Sequence, residues 1–124
     1  MISPGAIVRV FKHGDIAWVV RDKLWDGRWR VVAKAVDQRG RGEILSSRVV
    51  GEGDTVLVRD PPTYQVGTEV KHEGVKLTVL EDRGDHVLFS VPATRFPLKG
   101  GDHLHVAAGN HTEIDKATLV LASL

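Results

Sequence analysis

The 124-residue chain has no cysteine, one methionine, one tyrosine and seven aromatic residues in all. Without cysteine there are no disulfide scaffold, no thiolate zinc site and no cysteine nucleophile. With so few aromatics, a methyl-lysine cage or an aromatic groove for Pro-rich peptides is hard to assemble. No run approaches the length of apolar residues that spans a membrane, so no membrane association is expected. The opening Met1-Ile2-Ser3-Pro4-Gly5 lacks a basic segment followed by an apolar one, so a secretory signal is not expected and a cytoplasmic location is. Neither charge dominates: 17 Lys+Arg face 16 Asp+Glu.

What is abundant is β-branched. There are 19 Val and 5 Ile against 11 Leu and 9 Ala, a balance that favours strands. Punctuation comes at Asp60-Pro61-Pro62-Thr63, because consecutive prolines cannot donate to a ladder. Residues 1–62 hold 11 basic and 8 acidic residues, a net +3; residues 63–124 hold 6 and 8, a net −2. Only His13 lies in the first part; His72, His86, His103, His105 and His111 lie in the second. The neutral total therefore conceals a basic half and a mildly acidic, His-bearing half.

The halves read as loose copies of one plan. Pro4 to Val10 parallels Val66 to Lys71, each followed by a Gly-centred turn, at His13-Gly14 and at Glu73-Gly74. Apolar strands follow at Ile16 to Val20 and Val75 to Leu80, and third strands at Trp29 to Val36 and His86 to Val91. Closing strands are expected at Thr55 to Val58 and Thr118 to Leu121. Period-two alternation turns Leu77, Val79, Val87, Phe89 and Val91 inward. Asp26-Gly27 signals a hairpin with a type I′ turn. No window predicts a helix of twelve residues; Glu43 to Val49 and Thr112 to Lys116 are each expected to form one short helical turn. About five strands per half, joined by short turns, predict small barrels.

The opening Pro4-Gly5-Ala6-Ile7-Val8-Arg9-Val10, the strand Ala17-Trp18-Val19-Val20, the strand Trp29-Arg30-Val31-Val32 and the closing Gly53-Asp54-Thr55-Val56-Leu57-Val58 resemble SH3-like small barrels of the Tudor and KOW kind. The resemblance covers most of residues 3–60 and, more loosely, 64–122. It implies an all-β chain of two SH3-like barrels in tandem, packed together, over residues 1–60 and 64–124. It also implies a non-enzymatic binder of nucleic acid or peptide.

The first half interleaves Arg21, Lys23, Arg28, Arg30, Lys34, Arg39, Arg41 and Arg48 with Trp25 and Trp29. Basic side chains neutralise phosphates and an exposed indole stacks on bases. Trp18, between Ala17 and Val19, and Trp29, on one face with Val31 and Ala33, are expected in the core, which leaves Trp25 as the expected platform. The expected DNA- or RNA-binding residues are therefore Trp25, Arg28, Arg30, Arg39 and Arg41, with Asp15, Asp22, Asp26 and Asp37 blunting the field. A protein partner is the alternative, although Trp25, Phe11 and Tyr64 do not build a groove. His103 and His105, two apart on a strand, are the secondary candidates for a metal site. They are similar to the start of the cupin motif, but Gly109 and Asn110 stand where its carboxylate belongs. No Gly-x-Ser-x-Gly elbow and no Gly-rich loop leading into a helix occurs, so neither catalysis nor a cofactor is expected.

Overall fold

A computed structural model describes all residues except 37–42, 93, 98–102 and 107–109; for 35, 36, 43, 44, 94–97 and 103–106 it describes the backbone only. Among the described residues the chain is all-β apart from one short 3₁₀ turn and one C-terminal helix, and it divides into two compact units. The first comprises Met1–Pro62 with Asp115–Leu124, and the second Thr63–Ile114.

The first unit contains β1 (Ile7–Val10), β2 (Trp18–Lys23), β3 (Trp29–Val36), β4 (Glu43–Val50) and β5 (Thr55–Arg59). They form one antiparallel sheet in the order β4-β3-β2-β1-β5. Four strands run as a meander and the fifth returns beside the first. β4 and β5 are the two ends of the sheet, and no ladder between them closes a barrel among the described residues.

Both faces of this sheet are apolar, and period-two alternation explains how. One face gathers Val8, Val10, Trp18, Val20, Trp29, Val31 and Ala33 with Ile2 and Ala6. The other carries Ile7, Val19 and Val32, which pack against Ala117 and Val120. Each fully buried aliphatic side chain contributes roughly 1.5–3 kcal/mol, so both faces need a cover.

The cover of the second face corrects the sequence reading. Thr118 to Leu121 is not a closing strand; it lies in helix α1 (Lys116–Ser123). Nor does Glu43 to Val49 form a helical turn: it is part of β4, paired with β3 throughout. Thr112 to Asp115 likewise belongs to a strand, and the helix begins only at Lys116. Ala117, Val120 and Leu121 recur at helical spacing and pack on the first sheet, so packing overrides the strand preference of Thr118 and Val120. The last ten residues, read from sequence with the second half, thus belong to the first unit. Gly5 shows how closely the helix approaches. Its φ is +91°, and a Cβ there would lie 2.9 Å from Lys116 Cβ.

The second unit contains β6 (Glu69–His72), β7 (Val75–Asp82), β8 (His86–Val91), β9 (Thr94–Pro97), β10 (His103–Val106) and β11 (Asn110–Asp115). β11-β8-β7-β6 form a four-stranded sheet, and β9 and β10 form a separate two-stranded one. Among the described residues Leu77, Val79, Val87 and Phe89 are its buried ones, at inward positions that alternation predicts; Val91, expected inward as well, is half-buried.

The openings of the two units are built alike. Ala6 N–H donates to Ser3 C=O, and Gly5 N–H and Val20 N–H exchange bonds with Val20 C=O and Ala6 C=O. In the second unit Thr68, Gly67, Val79 and Gln65 make the same set. Gly5 and Gly67 adopt φ of +91° and +89°, and the ladders shift after Val20 and after Val79.

Candidate nucleic-acid interface

The β2–β3 hairpin presents the residue that the sequence singled out. Trp25 sits at its tip and is 97% exposed. The turn differs from the expected type I′. Only Gly27 has positive φ, at +86°, and the loop has three residues, Trp25-Asp26-Gly27. Gly27 N–H donates to Leu24 C=O at 3.0 Å and Leu24 N–H to Arg28 C=O at 2.7 Å. A type I turn followed by a left-handed glycine meets this geometry, because Asp26 need not enter the positive-φ region. The two-residue primed turn occurs instead at Glu73-Gly74, with φ of +50° and +81°.

Asp26 ties the tip down. Its carboxylate accepts the Arg28 backbone N–H at 3.0 Å and the Arg28 Nε–H at 2.7 Å. The backbone bond first, and the guanidinium second, hold the Asp26 carboxyl below its ordinary range. Arg28 therefore faces an aspartate, and so does Arg30, 3.8 Å from Asp22. Such solvent-exposed pairs are weak, so a phosphate can exchange with them. Arg39 and Arg41 lie outside the described residues.

Three other cations rest on aromatic rings: Lys12 6.0 Å from the Phe11 centroid, Lys23 5.7 Å from Trp29 and Arg48 5.8 Å from Trp18. Trp18 and Trp29 are buried, as alternation predicts. Arg48 makes no ion pair among the described residues. It edges a cleft of about 340 Å³ that Ile16, Trp18, Ala33 and Ser46 also line, with His13 and Lys34. The His13 ring meets Trp18 edge-on at 6.4 Å.

The sequence reading did not select Arg48 or Ser46 as site residues. The signal was the alternation of β4. Val50 packs on the core face, so Ser46 and Arg48, at even spacing from it, share that face, while Leu45 and Val49 point outward and are exposed. Reading Glu43 to Val49 as a helical turn hid this pattern.

In the second unit, Arg83 pairs with Glu81 and Glu113, and His86 lies 2.5 Å from Asp85 and 3.6 Å from Glu113. β10 places His103 and His105 two apart on one strand, but their side chains lie outside the described ones. Among the described residues no group of three His, Asp or Glu side chains is arranged to hold a metal ion, and no helix is long and apolar enough to cross a membrane.

No protein-family model, no curated protein and no solved structure matches the chain.

Proposed function

We propose that the chain is a non-enzymatic binding module whose first unit grips the backbone of a nucleic acid. The observation that carries this reading is Trp25: a fully exposed indole on a hairpin tip fixed by four hydrogen bonds, with arginines beside it. A preorganised aromatic face is a platform for a base, and adjacent cations neutralise phosphate. The charge division supports it as well, since the first unit carries the basic excess. Arg28 and Arg30 exchange their aspartates for phosphates, and Arg39 and Arg41 extend the contact. The shared hydrogen-bond pattern of the two openings supports the reading of the units as copies of an SH3-like plan.

The test is fluorescence anisotropy of labelled DNA and RNA strands. Base stacking is worth about 1–3 kcal/mol, so Trp25→Ala is expected to weaken binding roughly 5- to 150-fold. Arg39→Ala with Arg41→Ala is expected to weaken it further and to lower its salt dependence. No binding by the wild type near 50 mM salt would refute the reading.

One observation favours a protein partner instead. β5 ends the sheet, and Val56, Leu57 and Val58 are all exposed on it. Such an edge can accept a further strand. Recovery of a stoichiometric protein partner, with β5 protected from hydrogen exchange in the complex and no nucleic acid bound, would decide for that alternative.

A further inference from the structure

The inner face of β4 breaks the pattern of the strands beside it. Across β2 and β3 that face is Trp18, Val20, Val31 and Ala33, all buried. On β4 the same face presents Ser46, opposite Ala33, and Arg48, opposite Val31. Two apolar residues of β4, Leu45 and Val49, meanwhile face solvent. A strand that turns polar groups toward the core side and apolar ones outward departs from what packing alone favours, and such departures mark functional positions.

The cleft that results is rich in donors. Arg48 offers up to five N–H groups and Ser46 a hydroxyl. No carboxylate is among the described residues lining it. Trp18 Nε1–H is buried and has no hydrogen-bond partner, in a residue only 3% exposed. A buried indole N–H normally finds an acceptor, and leaving it unpaired costs about 1–3 kcal/mol. The complement of this site is a ligand with acceptors and negative charge. Its apolar part would rest on Ile16 and Trp18, and its stacking partner is the Arg48 guanidinium, already held over the Trp18 ring. The volume of about 340 Å³ is at the low end for small-ligand sites, a size that matches one unpaired nucleotide.

We infer that this cleft receives one unpaired nucleotide, its base against Ile16 and Arg48 and its phosphate on Arg48, so that the first unit selects single strands over duplex. The inference rests on the nucleic-acid reading above and specifies the form of its ligand. Arginine planes stack on splayed bases, and a base inside a duplex is not available for this.

Anisotropy with a labelled single strand of about 12 nucleotides and the corresponding duplex, near 50 mM salt, tests it. The wild type is expected to bind the single strand at least tenfold more tightly. Arg48→Ala is expected to remove most of that preference while leaving duplex binding within about twofold. Arg48→Lys keeps the charge and loses the planar fork, so it is expected to behave like the alanine variant toward the single strand. Arg48 is exposed, and melting curves verify that both variants fold. Equal binding of the two forms by the wild type, or full single-strand affinity in Arg48→Ala or Arg48→Lys, would overturn the cleft inference while leaving backbone binding standing. Absence of binding to either form would overturn both.

Discussion

Gly5 and Gly67 are a natural pair of probes at the residue scale. Their φ angles differ by 2°, at +91° and +89°, but only Gly5 faces another element within 3 Å, at Lys116 Cβ. A non-glycine residue in such a conformation costs of order 1–3 kcal/mol. Gly67→Ala is expected to show that cost alone. Gly5→Ala is expected to show it together with displacement of the helix, and so to lose more stability in a denaturant titration. Equal losses would mean that α1 yields freely. Asp26 offers a second residue-scale test. Its carboxyl is lowered from an ordinary value near 3.8 by the Arg28 backbone N–H and guanidinium. A depressed carboxyl stabilises the fold above its unfolded value, and that contribution is lost as pH falls through the folded one. An NMR titration should place the Asp26 midpoint below 3.8, and Arg28→Ala should raise it while leaving the contribution of the Arg28 backbone N–H.

The C-terminal helix is the decisive element. Deleting residues 116–124 would uncover Ile7, Val19 and Val32 on the first sheet. The truncated chain is expected to bind a hydrophobic dye and to melt at a lower temperature; unchanged dye binding would show that the helix is not the cover of that face. Most strands were legible in the sequence, because Val8, Val20, Val31, Val79 and Phe89 alternate as a pleated strand requires. Helix α1 was not, because Thr118 and Val120 have strand propensity and the apolar face that overrides it comes from sheet residues 85 to 113 positions earlier. The hairpin at Trp25 was legible from Asp26-Gly27, whereas its three-residue loop was not, since one positive-φ glycine serves either turn. Arg48 was visible only as one basic residue among many. Its importance depends on β4 being a strand, which the mixed sequence Glu43-Ile44-Leu45-Ser46-Ser47-Arg48 conceals.

At the scale of the whole molecule, near neutrality is the sum of two opposed contributions, and the basic one belongs to the unit that bears Trp25, Arg48 and the cleft. A net charge of +3 does not attract nucleic acid strongly by field alone. Affinity must come from placed contacts, and their number is readable from salt dependence. Phosphate contacts by Arg28, Arg30, Arg39, Arg41 and Arg48 to a single strand predict a slope of log K against log salt of about −3.5, or a loss of roughly a hundredfold between 50 and 200 mM. The most direct measurement is therefore anisotropy of a labelled single strand with the intact chain at those two salt concentrations. Tight binding at the lower salt that weakens by about that factor at the higher is the predicted result. No binding at 50 mM, or an affinity that does not change with salt, would contradict the account.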